Sequence, residues 1–124
     1  DTSDDAIDRW FASFATRLKP GHAIEPPRRA PDGAAIMKRL ARGDTVARSE
    51  EGRWAFLPGS RGALRLYVGG EEIEVAAPAA DLARTLSAAR RHDGRALRKM
   101  VTKSSAARAL LIRLFAMGAL RFGR

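Results

Sequence analysis

Two histidines, a pair of adjacent serines, a run of glutamates and a late cluster of arginines and lysines are the residues of this chain whose types can carry chemistry. A metal site needs histidines and carboxylates at ligand spacing. His22 stands in a Gly/Pro-rich stretch and His92 between Arg91 and Asp93, and neither has such companions. Ser104-Ser105 lacks a nearby histidine and a Gly-x-Ser-x-Gly frame, so it reads as a helix cap rather than a nucleophile. Gly69-Gly70 precedes a strand, whereas a phosphate-binding glycine loop opens a helix, so it reads as a turn. Glu71, Glu72 and Glu74 read as the solvent face of a strand. No catalytic residue and no metal ligand is assigned, and the chain reads as a binding or assembly module.

Positive charge is what remains. The net charge is +9, and residues 1–75 sum to zero, so the whole excess lies in residues 76–124, where 11 Lys/Arg face only Asp81 and Asp93. Arg95, Arg98 and Lys99 on one short helix, with Lys103, Arg108 and Arg113 on or before the next, form a candidate surface for nucleic acid or an acidic partner. The chain has no Asn or Gln, the side chains best suited to adenine, so this is a charged surface without a base-reading constellation. The abundance of Ala, Arg and Gly is equally what a GC-rich genome would produce, and both readings stay open.

The elements that must position these groups are organised around Leu64 to Val75. Leu64, Leu66 and Val68, then Ile73 and Val75, alternate around Gly69-Gly70, which predicts a two-stranded hairpin with one apolar face. Before it, Ile7, Trp10, Phe11, Phe14 and Leu18 fall on one face of a helix that Lys19-Pro20-Gly21 ends, with Arg9, Ser13, Thr16 and Arg17 on the other side. Three aromatics are a large apolar load, to be buried in the chain's own core, against a second copy, or against a domain outside this chain. His22 to Asp32 reads as a polyproline-like connector. Asp32 caps a helix with Ile36, Met37 and Leu40 inward and Lys38, Arg39 and Arg42 outward, closed by Gly43.

Thr45–Arg48 and Arg53–Leu57 read as two short strands around Ser49-Glu50-Glu51-Gly52, so the middle third is expected to be one small antiparallel sheet. After Pro78, Leu82, Leu86 and Ala89 mark a helix ending near Arg90-Arg91-His92. Asp93 is expected to cap a second, with Leu97, Met100 and Val101 inward. Ser104 or Ser105 caps a third, with Leu110, Leu111, Leu114, Phe115 and Met117, stopped by Gly118. Leu120 to Gly123 alternates as a strand. This order predicts an α+β fold: a small winged-helix-like domain of helices and short antiparallel sheet, with the third helix in the recognition position and an N-terminal helical arm. The usual hairpin wing after that helix is missing or replaced by the upstream hairpin. The expected division is residues 1–43 as helical dimerisation arm and connector and residues 44–124 as the winged-helix-like domain.

Without cysteine there are no disulfides or thiolate metal sites, which fits the cytoplasm. No apolar run reaches the roughly 20 residues of a membrane span, so no membrane partner is expected. The chain opens at Asp1 without Met or a signal-peptide pattern, which suggests a piece of a longer protein.

Trp10 to Pro20 (Trp-Phe-Ala-Ser-Phe-Ala-Thr-Arg-Leu-Lys-Pro), Leu66 to Glu72 (Leu-Tyr-Val-Gly-Gly-Glu-Glu), Leu82 to Arg95 and Leu110 to Phe122 together resemble the C-terminal part of bacterial JmjC-type cupin hydroxylases, the ribosomal oxygenases. The resemblance spans nearly the whole chain. At the hairpin the family commonly has an aliphatic or aromatic residue followed by Val-Asn-Gly-Glu, and Gly69 stands here in place of the Asn. The resemblance implies a parent of three parts: an iron(II)- and 2-oxoglutarate-dependent cupin, a helical dimerisation segment and a winged-helix-like domain. This chain would be the last two. It carries no counterpart of the family's His-x-Asp pair and distal His, so both cofactors and the hydroxylation of a ribosomal-protein arginine or histidine would belong to the cupin. Ile7, Trp10, Phe11, Phe14 and Leu18 would then form a homodimer interface, and the basic helices would contact a ribosomal protein or nucleic acid. The rival reading is a DNA-binding winged-helix protein anchored by Lys103 and Arg108.

Overall fold

The computed structural model describes residues 2–16, 29–49 and 53–123. The elements run α1 (Thr2–Thr16), α2 (Gly33–Ala41), β1 (Thr45–Arg48), β2 (Trp54–Pro58), β3 (Leu64–Val68), β4 (Glu71–Val75), a 3-10 turn at Ala77–Ala79, α3 (Ala80–Ala88), β5 (Arg91–Asp93), α4 (Gly94–Thr102), α5 (Ser105–Ala116) and β6 (Leu120–Gly123). This is the expected winged-helix-like α+β architecture. The proposed ends of the first helix, at Lys19-Pro20-Gly21, and most of the polyproline-like connector lie outside the described residues.

The hairpin forms as its sequence demands. Gly69 and Gly70 both have positive φ, 58° and 87°, the conformation a two-residue turn needs to match the twist of its strands. Leu64 pairs with Val75 and Leu66 with Ile73, which puts the apolar residues of both strands on one face. β2 adds to the other side of β3, with Trp54 opposite Val68 and Phe56 opposite Leu66.

The single middle sheet expected from the sequence is not what forms. Among the described residues there are two three-stranded antiparallel sheets, in the orders β2-β3-β4 and β5-β1-β6. β1 turns away from β2 and pairs with β5 and with β6. Arg91 and His92, expected at the end of a helix, are therefore extended, and Ala89 is an exposed, extended residue just past α3 rather than part of its buried face. A three-residue strand carries too little pattern to be read locally; it exists because β1 supplies its hydrogen-bonding partner.

One core joins both sheets. Leu64, Leu66, Val68, Ile73 and Val75 meet Leu82 and Leu86 of α3, Leu97 and Val101 of α4, and Leu111, Leu114 and Phe115 of α5. α2 shares it through Ile36 and Leu40 and packs on α4, so this helix on the arm side of residue 43 fills the same interior. Caps end the helices. The Asp32 carboxylate accepts from Ala35 N–H at 2.8 Å, and Ser104, rather than Ser105, accepts from Ala107 N–H at 3.1 Å. Asp93 precedes α4 but its side chain makes no capping bond. Gly94 is required there by contact, since a Cβ would collide with the carbonyl oxygen of Asp44.

A half-buried arginine ties the two sheets together. Arg48 of β1 lies over the Trp54 ring of β2, 5.5 Å from its centroid, and donates through Nη1 to the Ser87 carbonyl at 3.0 Å, where α3 ends. Burial, with Arg90 adding to it, pushes the Arg48 guanidinium below its ordinary pKa. Among the described residues its Nε and the Trp54 Nε1, both buried, have no hydrogen-bond partner.

Candidate functional site

α1 lies on the back of the β2-β3-β4 sheet, against all three strands. Strand alternation sends Leu64, Leu66 and Val68 into the core and Arg65 and Tyr67 to the opposite face, beneath α1. Tyr67 is wholly buried there. The side of α1 that meets this sheet carries Arg9, Ala12, Ser13 and Thr16, spaced as one helical stripe. The sequence shows this as the polar side of the helix, and it is the side that docks.

The docking contacts are specific. Arg9 donates from Nε and Nη2 to the two carboxylate oxygens of Glu72, each at 2.7 Å. The Tyr67 hydroxyl donates to Glu72 Oε1 at 2.8 Å, and Arg65 Nε stands 3.7 Å from the same oxygen. At the turn, Ser13 Oγ donates to the Gly70 carbonyl at 2.8 Å, while Gly70 N–H donates to Thr16 Oγ1 at 2.9 Å. Thr16 in turn donates back to the Ala12 carbonyl at 3.1 Å, so a buried hydroxyl is fully used. The bond from Arg9 holds the Glu72 carboxyl far below the ordinary carboxylate range, at about 2, against the opposing effect of burial, with Tyr67 helping. Burial, then the Glu72 carboxylate, pushes the Tyr67 phenol up.

Glu72 is exposed on its strand, as the sequence suggests, but its carboxylate is also engaged by Arg9 and Tyr67. It is the anchor of the arm, which the sequence reading missed. The available signal was that a two-residue turn at Gly69-Gly70 places Tyr67 directly opposite Glu72; that Arg9 would complete the site is set only by where α1 packs.

The polar face docks, and residues of the apolar face are exposed. Ile7, Trp10 and Phe11 are 62%, 62% and 63% exposed. Burial of this stripe in the chain's own core, one of the readings the sequence left open, is therefore overturned for these three residues. Phe14 lies on α1 but its side chain is outside the described set, as is Leu18.

The basic residues are all at the surface. Arg95, Arg98, Lys99, Lys103, Arg108 and Arg113 are exposed. Arg95 lies beside Gly43, at the turn from α2 to β1. Lys99 and Lys103 border a groove of about 380 Å³ with Pro78 and Asp81, at the start of α3. Arg108 reaches back toward the Val101 carbonyl, 3.5 Å from its Nη2. His92 Nε2 is engaged with the Ala89 carbonyl at 2.8 Å, and among the described residues no group of three or more His, Cys, Asp or Glu gathers. Nor is any helix among them long and apolar enough to cross a membrane.

The same fold recurs in solved structures of YcfD, a ribosomal oxygenase from Escherichia coli. One superposes with a TM-score of 0.71 at 20% identity, covering 97% of this chain and 31% of that one. A second, in complex with cobalt and succinic acid, gives 0.69 at 20% identity over 94% of this chain and 30% of that one. A third, with cobalt and 2-oxoglutarate, gives 0.67 at 19% identity, covering 97% and 31%. This chain therefore spans less than a third of the length of those proteins. No curated protein sequence matches it. From residue 1 to residue 121 the sequence matches the family described as ROXA-like winged helix, and the chain belongs to that family.

Proposed function

We propose that this chain is the non-catalytic assembly module of a ribosomal-oxygenase-like protein hydroxylase, pairing two copies through α1 so that their catalytic cupins are held in register. The observation that carries this reading is the orientation of α1. Arg9, Ser13 and Thr16 bind the helix to the hairpin, and Ile7, Trp10 and Phe11 remain 62–63% exposed, an apolar surface that a partner helix of the same kind would cover. Phe14 and Leu18 continue the stripe in sequence. The cupin would supply iron(II) and 2-oxoglutarate chemistry toward a ribosomal protein; membership of the family and the likeness to YcfD support placing this chain beside such a domain.

In this reading the exposed residues Arg95, Arg98, Lys99, Lys103 and Arg108 serve an acidic partner. Their charge suits the phosphates of ribosomal RNA better than a basic ribosomal protein, because like charges repel. Light scattering tests the assembly role. The native chain is expected to be a dimer, and Trp10→Ala with Phe11→Ala a folded monomer; a native monomer at all concentrations would exclude it. Sequence-selective, salt-dependent, sub-micromolar binding to duplex DNA would instead favour a DNA-binding winged helix.

A further inference from the structure

A second site lies where the start of α2 meets β6, a strand of the sheet that does not contain the hairpin. Arg29, Asp32, Arg39, Leu120, Arg121 and Phe122 border an open trough of about 620 Å³, within the size range of specific ligand sites. Three arginines and one aspartate line it; the Asp32 carboxylate is occupied in capping α2, and Arg39 is paired with Asp44 outside the trough. Arg29 and Arg121 are exposed and make no ion pair among the described residues.

Arg39 is pre-positioned. Its Nε donates to Asp44 at 2.7 Å and its guanidinium lies 4.1 Å over the Phe122 ring. That bond uses one edge of the fork, and the Nη groups make no other hydrogen bond among the described residues. A guanidinium fixed in this way loses little freedom on binding a carboxylate.

The strand edge is open as well. β6 is the terminal strand of its sheet among the described residues. The bond from Ser49 N–H to the Ala119 carbonyl sets the phase of the β1–β6 ladder, in which bonded and non-bonded pairs alternate. Phe122, opposite Val46, falls in a non-bonded pair, so its N–H and C=O point away from β1 toward the outer edge.

The geometry points to this trough as a docking site for an extended acidic segment of a partner protein. Its carboxylates pair with Arg29, Arg39 and Arg121, and its backbone pairs with Phe122 at the edge of β6. A single-stranded nucleic acid fits less well. It needs an aromatic face on which a base can stack, and the Phe122 ring has Arg39 on one side and Phe115 stacked at 4.7 Å on the other. The site uses neither α1 nor a cupin, so it stands or falls independently of the assembly role.

The test is fluorescence anisotropy on the 124-residue chain. The probes are a labelled heptapeptide of alternating glutamate and valine, its lysine-for-glutamate counterpart, and a labelled oligouridylate. The glutamate peptide is expected to bind saturably and the lysine peptide not at all. Arg29→Glu and Arg121→Glu each weaken binding about tenfold or more, whereas Arg53→Glu, the same charge change on an exposed residue outside the trough, alters it less than about twofold. Amide resonances of Arg121 and Phe122 shift on titration in the native chain. Unchanged circular dichroism keeps the variants interpretable, and both arginines are exposed, so folding does not depend on them. Absence of saturable binding up to about 1 mM, equal weakening by Arg53→Glu, or binding of the oligouridylate in place of the peptide would each overturn the proposal.

Discussion

Arg9 and Glu72, 63 residues apart in the chain, meet in a two-bond ion pair with both contacts at 2.7 Å. This pair decides which way the N-terminal helix faces. A guanidinium fork on a carboxylate fixes a plane as well as a distance, and Ser13 and Thr16 on the hairpin turn remove the remaining rotation about the helix axis. The aromatic face is displayed because the opposite face is the one recognised.

Replacing Arg9 by Met is expected to raise the titration midpoint of Glu72 from about 2 toward the ordinary 4.5, while Asp44, held at about 2 by Arg42 and Arg39, stays where it is. The sign for stability follows. A carboxylate with a depressed folded pKa contributes stability above its ordinary value and loses it as pH falls through the folded value. Docking of α1 in the native chain should therefore hold at neutral pH and weaken between about pH 4.5 and pH 2. Carboxyl carbon resonances and α1-to-hairpin proton contacts by NMR report both effects. A Glu72 midpoint unmoved by Arg9→Met would mean that the pair does not govern the arm.

Gly94→Ala should destabilise the fold by about 3 kcal/mol, at the upper end of overpacking costs, because the obstacle is main chain rather than a yielding side chain. The new methyl would meet the Asp44 carbonyl beside the Thr45–Asp93 pair. Urea denaturation measures this, and loss of β1–β5 contacts should accompany it.

Ser104→Ala should cost about 1 kcal/mol and Ser105→Ala close to nothing. Only the first removes an acceptor for a backbone N–H at the start of α5. Equal effects in thermal denaturation would contradict the capping geometry.

Leu111→Ala should cost about 2–5 kcal/mol as a fully buried large-to-small change. Phe11→Ser, measured at concentrations where the chain is monomeric, should change stability by less than about 0.5 kcal/mol. A large loss from Phe11→Ser in the monomer would place that ring in an intramolecular core.

The legible parts of this fold were those with short-range causes. Leu64 to Val75 announces its hairpin through alternation and two glycines, and the helices α2, α4 and α5 show their buried residues through spacing that one turn of helix dictates. The two-sheet arrangement was not legible. Thr45–Arg48 and Trp54–Pro58 are close in sequence, but β1 finds its partners at Arg91–Asp93 and Leu120–Gly123, and four residues of strand do not specify which distant edge they will join. The trough at β6 was illegible for the same reason, since Arg29, Arg39 and Arg121 converge only through that pairing.

By itself the sequence determined the identity of the local elements, the apolar stripe on the first helix, the surplus of positive charge after the hairpin and the family resemblance. The tertiary structure alone decided what each face of α1 does. An aromatic stripe and a polar stripe on one helix are both capable of docking. Which one packs depends on what the sheet presents, and here it presents Tyr67 and Glu72, groups that need hydrogen-bond partners when covered and find them in Arg9 rather than in a phenyl ring.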